Sequence, residues 1–593
     1  MSGCRRITIS FPPKMISGGT DTIMASGNQW VGSYPEAARE FDDSSIGVSH
    51  LAEVLRVAAA EYGARPAVST QLPNGACATL SFEEIDRLTD DFATYLRESA
   101  GVQAGDVVAQ MSPNCIDFLL VTFGILKAGC VCTNINPLYT APEMEHQLKD
   151  SKAKVLVVMD QFGERVDAII GHTFVQQVVT TSVLDFFPPL KKAFMGFMLR
   201  KVKKMVPNMR TDHIAMADAL KDGASRRRSG GIDVDAYWAG QGIDDTALYQ
   251  YTGGTTGRSK GAELSHRNVL FNAAVGSSMI VDEVETRDND CALVVLPLYH
   301  ITAFVLVMVL GLRRGMHSVM VPSPRPPSNL RAAFENHAIT HFSGINTLFA
   351  ALLQEPWCTR EVLRHLRFCG SGGAAQHVAL AERWEALTGV PIHQGYGLTE
   401  CAGVLTLNPA GGNRLGTAGV PVPLTRVKIV DSEGLALPCG EVGEIIAKGP
   451  TIMKGYLDQP EATANTIKDG WLHTGDLGVM DDDGYIRVVD RKKDMILVSG
   501  FNVFPNEIED VIAELEGVVE VGVIGVPDER TEEAVKAFVV SSDPNMTAEQ
   551  VIAHCKRSLT NYKRPKQVEF VSEIPKTPVG KVLRRSLREM NAK

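Results

Sequence analysis

An α/β fold with parallel sheets, followed by a small β-rich unit and a separate α+β module, is what this sequence predicts. Three observations lead there. Short, continuously apolar, β-branched runs recur over 154–159, 291–296 and 317–321, and amphipathic stretches of helical period over 82–99 and 375–388 lie between such runs. Strands apolar on both faces and separated by helices belong to parallel sheets covered on both sides. From residue 420 the runs become shorter, alternating and turn-linked, at 426–430, 443–447 and 485–489, which marks a β-rich subdomain. From Asp494 a new unit begins, with a helix over 505–515, strands over 519–526 and 534–540, a helix over 548–559 and a strand over 567–570. About a hundred residues of mixed structure suffice for a domain of its own.

The bulk properties fit a soluble globular protein of several domains. A chain of 593 residues is too long for one core, and 45% hydrophobic with 22% charged residues is ordinary for a globular protein. A net charge of −10 excludes a nucleic-acid partner of the usual basic kind, so any anionic substrate must be met by local cations. Eleven scattered cysteines without zinc spacing point to reduced thiols and a cytoplasmic location. Residues 1–24 lack the apolar core of a secretory signal and read as a disordered extension, or as lying upstream of a start at Met15 or Met24. The extension is expected to run over 1–34. The longest apolar run, over 301–312, is too short to cross a bilayer and reads as a buried helix or strand.

Five motifs carry chemistry. Tyr251-Thr-Gly-Gly-Thr-Thr-Gly-Arg-Ser-Lys260-Gly261 gathers three glycines and three threonines ahead of a lysine. Glycines leave backbone N–H groups open to an anion, hydroxyls donate, and a lysine adds a point charge suited to phosphate. A strand over 246–251 precedes it, and a helix is expected to begin within 263–271, the strand–loop–helix layout of a phosphate cradle. The spacing is not that of a Walker A loop. A flexible linker is the competing reading.

Gly395-Tyr-Gly-Leu-Thr-Glu400 offers an aromatic for a base, a hydroxyl for a phosphate oxygen and a carboxylate for Mg²⁺, against a plain Gly-Tyr-Gly turn. In Trp471-Leu-His-Thr-Gly-Asp476 the aspartate suits ribose hydroxyls or simply caps its turn. Asp490-Arg-Lys-Lys-Asp494 falls where the composition changes, and a solvated loop is its other reading. Pro575-Lys-Thr-Pro-Val-Gly-Lys581 places a lysine after a tight turn, where a surface role competes.

In this order the five motifs resemble those of the adenylate-forming superfamily: acyl-CoA synthetases, the adenylation domains of peptide synthetases and beetle luciferases. The likeness runs from Ser49 to Arg588 and is closest to bacterial long-chain fatty-acid–CoA ligases. Gln250 to Gly257, Asn136-Pro-Leu-Tyr-Thr140, Pro297-Leu-Tyr-His300 and Gly344-Ile-Asn-Thr-Leu-Phe349 carry that closer match, as do 469–497 and 499–509.

The resemblance implies a large domain over 35–492, made of two parallel-sheet α/β subdomains and the β-rich subdomain over 420–492. A mobile α+β domain over 493–593 would follow the hinge at Lys493. It implies ATP, Mg²⁺ and coenzyme A as cofactors and co-substrates, with a fatty acid converted to acyl-AMP and then to acyl-CoA. Thr252, Gly253, Gly254, Thr255, Thr256, Gly257 and Lys260 would hold the β- and γ-phosphates, Thr252 also sitting beside the metal. Gly372, Gly373 and Ala374 would line the adenine pocket, and Tyr396, between Gly395 and Gly397, would lie against the base. Thr399 would contact the α-phosphate, Glu400 the magnesium, and Asp476 with Arg491 the ribose. Lys581 would bridge the substrate carboxylate and the α-phosphate. Ser499, Gly500 and Phe501 would later line the pantetheine channel. His300 would sit near the acyl carboxylate, or else be a core histidine at a strand end.

The chain departs from the family pattern at Gly253, where most members have Ser, at Gln394, at Arg258-Ser259, and at Glu532, a usual glycine position whose turn is thereby in question. Medium-chain or aryl-acid CoA ligases and fatty-acyl-AMP ligases stand as alternatives. A non-catalytic binding protein of the same fold is disfavoured by the complete set of motif residues.

One segment stands apart. Over 189–210, Phe194, Phe197, Met198, Val202 and Met205 recur at helical spacing, with Lys191, Lys192, Arg200, Lys203 and Lys204 on the remaining faces and Lys201 nearer the edge. Cations around an apolar aromatic stripe suit an anionic bilayer at the inner face of the membrane, or else a helix packed on the domain. The expected partners are the small-molecule substrates and this membrane contact, with no nucleic acid; a homodimer stays open.

Overall fold

The computed structural model describes residues 29–252, 258–280, 289–373, 376–528, 530–577 and 580–591. Among these, four sheets organise the chain. One has nine strands, with Ile392–Tyr396, Phe368–Ser371, His341–Gly344, Cys291–Val294, His317–Met320 and Pro66–Gln71 running side by side in parallel. The second has eight, with Thr246–Tyr251, Val131–Asn134, Val107–Met111, Val155–Met159 and Gln177–Thr181 as its parallel heart.

The continuous apolar strands are explained by what covers their two faces. Val155 and Val157 face the largest core cluster, whereas Leu156 and Val158 pack with Met144, Leu148 and Val166 on the other side. Ala292 and Val294 join the first cluster, while Cys291, Leu293 and Val295 join a third containing Phe342, Phe349 and Trp384. A period of two sends alternate residues to opposite faces, so a strand covered twice must be apolar throughout. Between the two sheets lie Phe82–Glu98, Ile116–Lys127 and His266–Ile280. The first starts in a capping box between Ser81 and Glu84. The apolar run at 301–312 is helical, with a π-helical stretch at Phe304–Val309.

The β-rich subdomain is an antiparallel sheet of Arg426–Val430, Gly443–Lys448, Trp471–Met480, Ile467–Lys468 and Ile486–Arg491. A separate C-terminal sheet begins at Ile496–Val498 and pairs with Phe501–Val503 and Glu532–Ser541. Val518–Asp528 and Gln567–Phe570 complete it. Only residues 492–495, with Lys493 among them, separate one sheet from the other.

Two expectations need correction. The extension expected over 1–34 does not reach Tyr34: Gln29–Ser33 form a 3₁₀ turn, and Trp30 and Tyr34 are buried in the main core. Trp30 packs so tightly on Gly484 that a Cβ there would lie 2.5 Å from its own, and the Tyr34 hydroxyl donates to the Pro421 carbonyl. Apolar burial thus fastens this segment to the β-rich side. Residues 1–28 lie outside the described residues.

The helix expected from within 263–271 directly after the glycine loop is preceded by another strand. Gly261–Ser265 pairs antiparallel with Thr246–Tyr251, and the helix starts only at His266. Ala262 and Leu264 are needed for the core on the alternate positions of a strand, which overrides a helical start.

The turn questioned at Glu532 keeps its glycine-like geometry. Glu532 sits at φ +65°, opposite Asp528 in the hairpin, while Asp528 accepts from the Arg530 and Thr531 backbone N–H groups. A non-glycine residue in the left-handed region costs about 1 kcal/mol. Glu532→Gly is therefore expected to raise the stability of the C-terminal domain by about that amount, whereas Glu532→Val lowers it; thermal unfolding of the full chain measures both.

Candidate active site

The site is built where the parallel strands end, at the junction with the β-rich subdomain and the C-terminal domain. Strand Thr246–Tyr251 leads into the glycine loop, and the loop is closed at its base by Thr252 N–H donating to the Lys260 carbonyl at 2.9 Å. Gly253, Gly254, Thr255, Thr256 and Gly257 lie outside the described residues, as does Ala374. Lys260 leaves the loop with its ammonium 4.9 Å over the ring of Tyr456. The Tyr456 hydroxyl in turn donates to Glu400 Oε1 at 2.7 Å. The loop lysine and the carboxylate expected to take a cation are thus joined through one tyrosine that no motif had marked.

Glu400 follows strand Ile392–Tyr396 in a 3₁₀ turn, Thr399–Cys401. The turn is possible because Gly397 lies against the Gly403 backbone, where a Cβ would fall 2.0 Å from the Gly403 carbonyl oxygen. Glu400 and Tyr456 border a cavity of about 350 Å³, also lined by Thr466, Lys468, Thr474 and Lys492. One carboxylate oxygen held by a phenol, facing a polar opening, is a hard oxygen donor of the kind magnesium takes together with phosphate oxygens.

Asp476 and Arg491 are directly opposed on neighbouring antiparallel strands, and Arg491 Nε lies 3.1 Å from Asp476 Oδ1. The other carboxylate oxygen accepts from the Tyr396 hydroxyl at 2.8 Å. Burial, reinforced by the Asp476 charge, pushes the Tyr396 phenol well up, so it stays a donor at neutral pH. Tyr396, Asp476 and Arg491 therefore form one connected wall. Gly372 faces the Gly395 carbonyl across it, 3.4 Å from where a Cβ would stand.

Lys581 arrives from the C-terminal domain. Gly373, at φ +86°, leaves room for it: a Cβ there would lie 3.9 Å from Lys581 Cε. The lysine keeps some solvent contact in the cleft but is surrounded by both domains. Burial lowers its pKa, as does Arg491, while Asp476 and Glu400 oppose the shift. Its loop docks by shape, since Gly580 sits so close to Ile345 that a Cβ would fall 2.4 Å from Ile345 Cδ1. An ion pair between His377 Nδ1 and Asp510 Oδ1, at 2.9 Å, closes the same interface. Burial disfavours the imidazolium, but Asp510 outweighs it and raises the His377 pKa.

His300 caps the short helix Ile301–Ala303 and lies within the field of Lys581. Burial first, then that ammonium, lowers its pKa to about 4, so the imidazole is neutral at pH 7. Its loop is fixed by two buried amides: Asn114, which sequence reasoning missed, and Gln250, which it took only as the first residue of a family motif. Gln250 donates to the Tyr299 carbonyl at 2.7 Å; Asn114 donates to the Val294 and Leu296 carbonyls and accepts from Leu298 N–H. Their only signal in the sequence is polarity inside apolar runs. Lys493 sits beside Arg491 and Asp476, its pKa lowered by burial and by Arg491. Ser499 and Gly500 form a left-handed turn at φ +51° and +78°. Phe501 follows it, 55% exposed and stacked on Tyr562, on the outside in this arrangement. The structure thus brings Thr252, Lys260, Gly372, Gly373, Gly395–Gly397, Thr399, Glu400, Asp476, Arg491, Lys493, Lys581 and His300 to one cleft; Gly500 it leaves on the surface.

Comparison with known proteins gives a consistent picture. The family model for the AMP-binding enzyme matches residues 55–457, and that for the AMP-binding enzyme C-terminal domain matches 507–581. The chain is 40% identical over 563 residues to a long-chain-fatty-acid–CoA ligase of Salmonella typhimurium, covering 94% of this chain and 98% of that protein. It is 35% identical over 523 residues to a feruloyl-CoA synthase of an Amycolatopsis species, covering 88% and 95%. Among solved structures, an anthranilate CoA ligase in complex with anthranoyl-AMP superposes with a TM-score of 0.79 at 26% identity, covering 92% of this chain and 97% of that one. ATP-bound MatB from Rhodopseudomonas palustris gives 0.76 at 29%, covering 91% and 98%.

The Tyr456 bridge yields a test. Tyr456→Phe removes one hydrogen bond to Glu400, worth about 1 kcal/mol, and should weaken ATP binding about fivefold in calorimetric titration. Tyr456→Ala also removes the surface under Lys260 and should cost more.

Proposed function

The chain belongs to the AMP-binding enzyme family, and on that premise we propose how its cleft joins a long-chain fatty acid to coenzyme A. It is a long-chain fatty-acid–CoA ligase, an acid–thiol ligase that forms acyl-AMP with release of pyrophosphate and then acyl-CoA with release of AMP. Relatives about 40% identical over nearly the whole chain support that activity. The observation that carries the mechanism is the delivery of Lys581, on a separate domain, to the point where Glu400, Asp476 and His300 converge.

In the first half-reaction a carboxylate oxygen attacks the α-phosphorus of ATP, the bond to the bridging oxygen breaks, and pyrophosphate leaves with the electron pair. Both reactants are anions. A desolvated ammonium in a low-dielectric cleft stabilises the charge that gathers between them far more than it would in water. Lys581 supplies that charge. Lys260 and the glycine loop take the departing phosphates, while Asp476 and Arg491 hold the ribose and Tyr396 lies against the base. Neutral His300 adds no second cation; it orients the acyl carboxylate by hydrogen bonding. Glu400 and Thr252 would hold magnesium, which when bound supplies further positive charge at the phosphate oxygens.

In the second half-reaction the thiol sulfur attacks the acyl carbonyl, the bond to the phosphate oxygen breaks, AMP leaves and the thiol proton passes to solvent. Lys581 fills the approach the thiol needs. A rotation about Lys493, within the four residues that separate the two sheets, would withdraw it and bring Ser499, Gly500 and Phe501 inward. Their exposure in this arrangement, the one with Lys581 engaged, supports that exchange.

Pyrophosphate release across C2 to C20 acids and aryl acids, with and without coenzyme A, tests the substrate class. A maximum at long chains with thioester product is expected. A maximum at aryl acids would favour the chemistry named for the feruloyl-CoA relative, and pyrophosphate without thioester would favour acyl transfer to a carrier. Lys581→Ala should slow acyl-AMP formation by about 10²–10³-fold while leaving thiolysis of supplied acyl-AMP largely intact, as read in single-turnover assays.

A further inference from the structure

We propose that Gln250 is the positioning residue that sets where the acyl carboxylate stands relative to the α-phosphate, and that a row of buried amides behind it fixes the direction of its side chain. That role rests on the ligase reading, since it needs a carboxylate and a nucleotide in one cleft. Gln250 lies on strand Thr246–Tyr251, two residues before Thr252, whose N–H closes the glycine loop on the Lys260 carbonyl. Its side chain donates to the Tyr299 carbonyl at 2.7 Å, one residue before His300. The main chain of Gln250 thus roots the phosphate loop, while its side chain holds the loop that faces the carboxylate. The two loops rise from different sheets, the first from the eight-stranded one and the second from Cys291–Val294 of the nine-stranded one. Asn114 grips the second loop near its start, at Val294, Leu296 and Leu298; Gln250 grips it at the end that carries His300.

The row runs across the middle of the eight-stranded sheet. Gln110 and Asn134 are directly opposed on strands Val107–Met111 and Val131–Asn134, and Gln250 follows Tyr249, which is opposed to Thr133. Gln110 Nε2 donates to Thr122 Oγ1 at 2.6 Å and to Asn134 Oδ1 at 2.8 Å. Asn134 Nδ2 donates in turn to Gln250 Oε1 at 3.4 Å. All three amide side chains are buried. The last acceptor decides the direction. A backbone carbonyl can only accept, so Gln250 turns its NH2 to Tyr299 and its oxygen to Asn134. Asn134 must then offer its NH2 to Gln250 and its oxygen to Gln110. Reversing one amide would face oxygen on oxygen inside the core, where an unpaired polar group is costly.

Stability alone does not call for this row. Backbone ladders already join the strands, and Ala109, Met111, Val131 and Leu248 beside the amides are apolar and buried. Gln110 Oε1 has no hydrogen-bond partner among the described residues, and a buried acceptor left unpaired costs stability. Three apolar side chains would avoid that cost. They would also lose the grip on Tyr299, and with it the spacing of the two loops. That spacing matters most before acyl-AMP exists. Carboxylate and α-phosphorus are then separate bodies, and their encounter depends on how the loops hold them. Once the adenylate has formed, a covalent bond keeps them together, and thiolysis no longer needs the register.

Single-turnover assays of the full-length protein separate the two steps. Gln250→Met keeps the volume and removes the amide. It should slow acyl-AMP formation from ATP and palmitate by about 10–100-fold while shifting the KM of either by less than about threefold. Thiolysis of supplied palmitoyl-AMP should stay at the native rate, which also shows that the variant folds. Asn134→Leu leaves Gln250 in place and gives a second route: it should slow the same step less and spare thiolysis. Gln250→Met/Asn134→Leu should be no slower than Gln250→Met, because Asn134 acts only through Gln250. An unchanged rate of acyl-AMP formation in Gln250→Met, equal slowing of both steps in either single variant, a rise in one KM that accounts for the loss, or additive losses in the double variant would each overturn the proposal and leave the ligase reading standing. No acyl-AMP from any fatty acid with the unchanged protein would sink the ligase reading, and the role of Gln250 with it.

Discussion

Everything in this molecule is arranged around the difficulty of pressing two anions together away from water. In the proposed mechanism a single ammonium is present for that step and gives way in the next to a thiol. The chain resolves this by putting the ammonium on a different domain from the nucleotide groove. The large domain's side of the cleft holds the other groups: the Tyr396–Asp476–Arg491 wall, the Lys260–Tyr456–Glu400 bridge and a neutral His300.

The large domain therefore has to be rigid, and its packing makes it so. Two parallel sheets with strands covered on both faces enclose three helices, and buried amides from Asn114 and Gln250 lock the loop before His300. The small domain is held both to itself and to the large one by charge. Arg584, at the start of the last helix, pairs with Glu509 inside the small domain at 2.9 Å and also reaches the joint, standing 3.6 Å from Asp490 on the large domain's last strand and 3.9 Å from Asp494. This ties the last helix to the residues on either side of Lys493. Asp490 is held up to about 6 by burial despite that guanidinium, a sign of how dry the joint is.

Much of this was legible in the sequence, and what was missed has a common cause. Motifs that carry their meaning in adjacent residues could be placed: the strand before the glycine loop, the turn before Glu400, the strand holding Asp476, the lysine near the C-terminus. Their convergence follows from the sheet order, since strands 246–251 and 392–396 both end at the cleft. Tyr456 was invisible because its partners, Glu400 and Lys260, are far away in the chain, and a Gly-Tyr pair carries no chemistry alone. Ile345 meeting Gly580 is a contact of shape across domains, which no spacing records. The helix expected after the glycine loop failed for a related reason, because Gly261–Ser265 becomes a strand by pairing with a neighbour already in place.

That hairpin sets the loop's stems apart from those of a strand–loop–helix cradle. In a strand–loop–helix cradle the peptide dipoles of the helix lend the phosphate about half a positive charge that never leaves. Here the loop's two stems are antiparallel strands, whose dipoles cancel, joined by the rung from Thr252 to Lys260. The stems of the loop consequently add no helix dipole of their own. Whatever fixed charge the stems lack must then come from groups such as Lys260, whose ammonium lies 4.9 Å over the ring of Tyr456.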